Sequence, residues 1–132
     1  MSAHISDTYD FNAPAEVVFG VLTDPDRVTR WLPTGMRAES VQGDRIRVEV
    51  GSRLHEYAVD VVPDELQLRW RSLDVSGLHG AARVEDAPAG GSVVHAEVDG
   101  PDGMADDRRL RELLDETMRH LQRDVSDNFT AG

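Results

Sequence analysis

Two side chains capable of chemistry share one face of an extended run. In Leu54–Val62, His55, Tyr57, Val59 and Val61 alternate with Glu56, Ala58 and Asp60, the period of a half-buried strand. Imidazole titrates near neutral pH and suits general acid or base work, and a phenol donates a hydrogen bond. Facing inward, the pair would supply polar anchors in a mostly apolar pocket. The competing placement is a strand-end imidazole facing water and a core tyrosine whose hydroxyl meets the backbone. Asp7 is a third candidate, because it has the parity of Ile5 and Tyr9. Pointing inward it would need a partner and would then be functional. At the strand's start it would instead lie exposed at an edge.

Little else in the chain resembles a catalytic constellation. The absence of Cys removes disulfides, thiolate ligands and a cysteine nucleophile. No Gly-x-Ser-x-Gly, His-Glu-x-x-His or phosphate-cradling loop occurs. His4, His55, His79, His95 and His120 fall at no ligand spacing, so neither a metal nor a cofactor is expected. Gly77-Leu-His-Gly80 reads as a bulge or close backbone packing in a strand, not as a nucleic-acid clamp.

The charge balance narrows the partners. Against 25 Asp and Glu stand 14 Arg and no Lys, a formal net charge of −11 over 132 residues. That balance argues against nucleic acid or an anionic membrane surface as a partner. Arginine to the exclusion of lysine points to a GC-rich, bacterial coding sequence. No apolar run reaches the roughly 18 residues of a membrane span. No basic segment followed by an apolar stretch opens the chain, so a cytoplasmic location is expected. The length suits one domain over residues 1–132 that needs no staple.

The elements that must position His55 and Tyr57 follow from period and punctuation. His4–Phe11 alternates as a strand. Pro14, capped by Asn12 or Ala13, opens a short helix with the stripe Val17, Val18, Val21 and Leu22. Asp24 and Pro25 open a second, over Pro25–Leu32. Strands are expected at Met36–Val41, Arg45–Val50, Leu54–Val62, Leu66–Ser72, Gly77–Glu85 and Ser92–Val98, joined by turns short enough for an antiparallel meander. Leu66, Leu68 and Trp70 share the face of Tyr57. Arg45, Arg47, Arg69 and Arg71 lie on the other, with Glu56 and Asp60 between them, each opposite-charge pair adding about 0.2–1 kcal/mol. A long helix over 104–129 carries Leu110, Leu113, Leu114, Thr117, Met118, Leu121 and Val125 on one face, with Asp124 among its charged residues. That helix can bury its stripe only on the sheet. A straight helix cannot fill a strongly curved sheet along its whole length, so a cavity is expected between them.

The segment Phe11-Asn-Ala-Pro-Ala-Glu-Val-Val-Phe-Gly-Val-Leu-Thr-Asp-Pro-Asp-Arg-Val-Thr-Arg-Trp31 resembles the opening of the START-like superfamily, also called SRPBCC. Pro14, Val18, Phe19, Leu22, Asp24, Pro25 and Trp31 match its pattern position by position. Gly90-Gly91 before the last strand and the Gly-Pro-Asp-Gly turn before the last helix also match. The resemblance implies an α+β helix-grip fold, in which a seven-stranded curved antiparallel sheet (β-α-α-β6-α) holds the long C-terminal helix around a hydrophobic cavity. Relatives include polyketide cyclases and aromatases, quinone-binding and lipid-transfer proteins and Hsp90 activators.

Three functions follow as expectations. The first is binding of a small hydrophobic molecule, such as a polyketide, lipid or quinone, with Tyr9, His55, Tyr57, Val59, Trp70, Leu114, Met118 and Leu121 as ligand contacts. The second is a polyketide cyclase or dehydratase, in which His55, Tyr57 or Asp7 would assist enolisation. The third is a protein-binding adaptor like the Hsp90 activators. Monomer and homodimer both remain open.

Overall fold

The computed structural model describes residues 3–101 and 107–131, the last four by backbone alone. The chain runs β1 (Ala3–Phe11), α1 (Ala15–Leu22), α2 (Val28–Trp31), β2 (Met36–Gln42), β3 (Arg45–Val50), β4 (Arg53–Val62), β5 (Gln67–Ser72), β6 (His79–Asp86), β7 (Ser92–Gly100) and α3 (Asp107–Ala131). A 3₁₀ turn, Pro63–Glu65, joins β4 to β5. The strands form one antiparallel sheet in the order β1-β7-β6-β5-β4-β3-β2, so the sequence neighbours β1 and β2 lie at opposite edges. This is the expected helix-grip arrangement, with a curved sheet and α3 packed on its inner face. Leu110, Leu114, Met118, Leu121 and Val125 of α3 are buried there against Leu68, Ala82, Val84, Val94 and Ala96 of the sheet and Val18 and Leu22 of α1.

The register places the charges as alternation requires. Arg47 stands opposite Glu56 and Asp60 opposite Arg69 on the outer face. Arg47 Nη2 lies 3.0 Å from Glu56 Oε1, whereas Arg69 bonds its own-strand neighbour Gln67.

Several element ends differ from expectation, each for a local reason. Residue 14 precedes α1 instead of opening it, and neither Asn12 nor Ala13 caps the helix. Asp86, at the end of β6, accepts the Ala15 N–H at 2.8 Å and caps α1 from across the fold. Asp24 accepts the Asp26 N–H in a tight turn, so α2 starts three residues later than expected. Leu66 adopts φ 49° to end the 3₁₀ turn, and β5 begins after it. Gly77 has φ 88°, which delays β6 to His79. Gly91 (φ 71°) lies so close to β1 that a Cβ there would collide with the Phe11 carbonyl oxygen. The expected first turn of the last helix, 104–106, falls outside the described residues.

Polar contacts fasten both flanks of α3. Toward β1, Arg111 reaches Asp7 at 3.0 Å, the Tyr9 hydroxyl donates to Asp115 at 2.6 Å and Gln122 donates to the Asp10 carbonyl at 2.8 Å. Toward α2, Glu116 accepts the Thr34 N–H and His120 Nδ1 donates to the Leu32 carbonyl, both at 2.9 Å. One turn on, Asp124 holds Arg27 at 3.2 Å and Arg30 at 3.5 Å. Asp124 therefore does not belong to the solvated face. It is 6% exposed, because the arginines before and within α2 supply the countercharge that a buried carboxylate requires.

Candidate functional site

The pleat of β4 turns His55, Tyr57, Val59 and Val61 to the inner face. Cross-strand register sets Val59 beside Trp70, Tyr57 beside Ser72 and His55 beside the buried Val48. Trp70 meets Tyr57 edge-on, with ring centroids 5.7 Å apart and planes at 78°, a favoured aromatic geometry. The indole can lie there because its neighbour across the strands is Gly80. A Cβ at Gly80 would stand 2.7 Å from Trp70 Cε2 and Cζ2 and from the Glu97 carbonyl oxygen. Close packing, one of the two readings of the Gly77–Gly80 motif, is thus what Gly80 provides. Val61 keeps the inner parity but is 40% exposed, because β4 pairs with β3 only through Ala58.

The segment after β5 adds a residue that no motif announced. Ser72 Oγ accepts the N–H groups of Asp74 and Val75, folding the chain back toward β4. Asp74 Oδ2 then accepts the Glu56 N–H at 2.9 Å and lies 3.5 Å from His55 Nδ1. The contact brings a carboxylate to the Nδ1 side of the ring, an ion pair when the imidazole is protonated. Burial, and secondarily the Asp74 charge, raise the Tyr57 phenol above its ordinary value of 10.0. Tyr57 is therefore a neutral donor at physiological pH, and its hydroxyl meets no partner among the described residues.

The predicted contacts thus separate into groups. His55, Tyr57, Val59 and Trp70 come together on β4 and β5. Leu114, Met118 and Leu121 are 7%, 4% and 0% exposed and belong to the packed core beneath α3. Tyr9 lies on β1, at the far edge from β2, with its hydroxyl engaged by Asp115. Burial and that hydrogen bond push its phenol far above the usual range. Asp7 is 45% exposed and paired with Arg111, also on the β1 flank. Two surface concavities, of about 190 and 60 Å³, lie on the outer face, around Ala81 and Arg47. None of the eight predicted contacts lines either one. No group of three potential metal ligands occurs among the described residues.

One further polar atom stands out. The Trp31 indole Nε1 is buried and has no hydrogen-bond partner among the described residues. Such an orphan costs about 1–3 kcal/mol. Trp31 packs onto the same apolar core as Val59 and Trp70.

The seven-stranded sheet gripping the long C-terminal helix defines a class, the START-like proteins. Within that class, residues 2–128 match the polyketide cyclase / dehydrase and lipid transport family, and the chain belongs to it. Solved structures agree on the fold. An aromatase/cyclase from Streptomyces sp. R1128 is 16% identical over 98% of this chain and 96% of its own, with a TM-score of 0.67. A START superfamily protein from Mycobacterium smegmatis is 18% identical over 94% and 97%, with a TM-score of 0.69. A protein from Chromobacterium violaceum is 17% identical over 93% and 97%, with a TM-score of 0.75. No curated protein matches the chain.

Proposed function

We propose that the chain, acting as one START-like domain in the cytoplasm without a cofactor, binds a small hydrophobic molecule against the inner face of β4 and β5. The carrying observation is the Tyr57–Trp70 pair, an aromatic wall beside an unpartnered phenol. Apolar surface removed from water supplies roughly 25 cal/mol per Å² before ordering costs. Tyr57 donates to an oxygen of the ligand, and His55, with Asp74 3.5 Å from its Nδ1, offers the second polar contact. Polyketide-like, quinone-like and lipid molecules fit this description. The test is a panel of aromatic polyketides, quinones and fatty acids, followed by thermal shift and native mass spectrometry. A member of the panel should raise the melting temperature, and Trp70→Leu and Tyr57→Phe should each weaken its binding. A panel without effect, or binding indifferent to both substitutions, refutes the proposal.

The His55–Asp74 pair favours a second reading, a cyclase or dehydratase in the same place. His55 Nε2 would take a proton from a carbon flanked by two carbonyls, while Tyr57 donates to the developing enolate oxygen. The carbanion would attack a second carbonyl, forming a carbon–carbon bond. The imidazolium would return that proton to the resulting alkoxide, giving a hydroxyl. The imidazole would then take the second proton of the same carbon and deliver it to the hydroxyl, which leaves as water as the carbon–carbon double bond forms. Turnover of a poly-β-ketone that disappears in His55→Ala while binding persists supports catalysis. Binding without turnover leaves the protein a carrier.

A further inference from the structure

We infer that the Trp31 indole N–H is a ligand-directed hydrogen-bond donor that selects for a carbonyl-bearing apolar molecule. The inference rests on the ligand-binding reading given above.

The segment around Trp31 is otherwise satisfied group by group. Thr29 Oγ1 accepts the Ala38 N–H, the Leu32 carbonyl accepts from His120, and the Thr34 N–H donates to Glu116. Arg27 and Arg30 hold Asp124. In the middle of this network the indole Nε1 alone is buried without an acceptor. Buried polar atoms are nearly always paired, and an exception calls for a missing partner. Packing alone does not account for it. Phenylalanine would cover the same core without leaving a donor stranded.

Position supplies the remaining argument. α2 packs against α3 and the edge strand β2, on the inner side of the sheet. Trp31 contacts the apolar core that Val59 and Trp70 also contact, from the helical side instead of the sheet side. A molecule that reaches this core from the β4–β5 side would meet two neutral donors, the half-buried Tyr57 Oη, which has no protein partner among the described residues, and the buried Trp31 Nε1. Both call for neutral oxygen acceptors. Neither offers an anion the full countercharge that burying a carboxylate requires. A ketone or quinone carbonyl suits the indole N–H, and a plain hydrocarbon leaves it stranded.

The test uses two probes of nearly equal shape, 2-acetonaphthone and 2-ethylnaphthalene, which differ by the carbonyl oxygen. The chain has only two tryptophans, Trp31 and Trp70, so ¹⁵N-labelled protein gives two indole N–H signals, assigned with Trp31→Phe or Trp70→Phe. The ketone should move the Trp31 indole proton downfield and the hydrocarbon should not. The ratio of ketone to hydrocarbon affinity should fall roughly fivefold in Trp31→Phe, the worth of one neutral hydrogen bond. If both probes perturb the backbone signals of His55, Tyr57 and Val59 while the Trp31 indole ignores the carbonyl, the inference is wrong and the binding site stands. If neither probe perturbs those signals, the binding site itself fails, and the inference with it. Should Trp31→Phe not fold, the wild-type shifts, assigned through Trp70→Phe, decide alone.

Discussion

Replacing Gly80 by alanine should destabilise the protein, opposite to the usual sign of that substitution. Gly80 has no left-handed backbone that would demand glycine. At such a position Gly→Ala ordinarily stabilises by about 0.4–1 kcal/mol, by restricting the unfolded chain. Here the new methyl would sit 2.7 Å from two carbons of the Trp70 ring and from the Glu97 carbonyl oxygen. The carbonyl belongs to the β6–β7 ladder and cannot swing away, so the strands must part or the indole must leave Tyr57. Overpacking of this kind costs about 1–3 kcal/mol, leaving a net loss of about 1–2 kcal/mol. For a chain of this size that is a fall of roughly 4–8 °C in Tm. Calorimetry of Gly80→Ala, Trp70→Leu and the double variant measures it. In the Trp70→Leu background the Gly80→Ala penalty should shrink by at least about 0.5 kcal/mol, because the ring part of the clash is gone. The Glu97 part should remain. If Gly80→Ala melts at or above the wild-type temperature, Trp70 does not lie across Gly80 and the aromatic wall of the site is misplaced.

Three further outcomes follow from side chains already placed. Asp124→Asn keeps the volume but removes the charge that holds Arg27 and Arg30; urea unfolding should show a loss of about 1.5–3 kcal/mol, and a loss below about 0.5 kcal/mol would mean that the clamp is idle. Both tyrosines have phenols raised above 10.0, so native protein should show less phenolate absorbance at pH 10 than the urea-unfolded chain. Because the folded values are raised, this contribution is intact below pH 10 and is lost as pH rises from there through the folded values; early phenolate absorbance in the folded state would contradict the burial of Tyr57. On the outer face, His4 Nδ1 lies 2.6 Å from Asp99, and that hydrogen bond raises the imidazole above 6.5. NMR titration should find His4 returning toward 6.5 in Asp99→Asn, and no change would show that the contact is absent in solution. The stabilisation from this pair is complete below pH 6.5 and is lost as pH rises through the folded value.

What was legible in the sequence was what periodicity encodes. Alternation in β3, β4 and β5 put Glu56 and Asp60 on the outer face between two Arg-bearing strands, because a one-residue slip would turn every Val and Leu of the strand outward. Which arginine meets which acid, Arg47 with Glu56 and Arg69 with Asp60, came only with the register. The stripe of α3 marked its buried face for the same reason. Period could not separate two kinds of inward position. Leu114 and Met118 point inward onto packed neighbours, while Tyr57 and Trp70 point inward beside an unpartnered donor. Both kinds look alike along the chain, since the difference lies in how closely α3 approaches each strand.

The residues that sequence reasoning missed are mostly carboxylates, and the net charge of −11 explains why. Asp86 caps α1 from β6, Asp74 sits beside His55 from a loop, and Asp124 is buried between two arginines. Among 25 acids each was indistinguishable from a solvated neighbour, because its partner lies far away in sequence, at residues 15, 55 and 27. Period reports the face of a residue within its own element, but a partner is a property of two elements. The surplus of acid is thus two populations, one that keeps the surface anionic and one that forms specific tertiary contacts. Only the second should respond to single Asp→Asn substitutions with a loss of stability or function, and this difference separates the two.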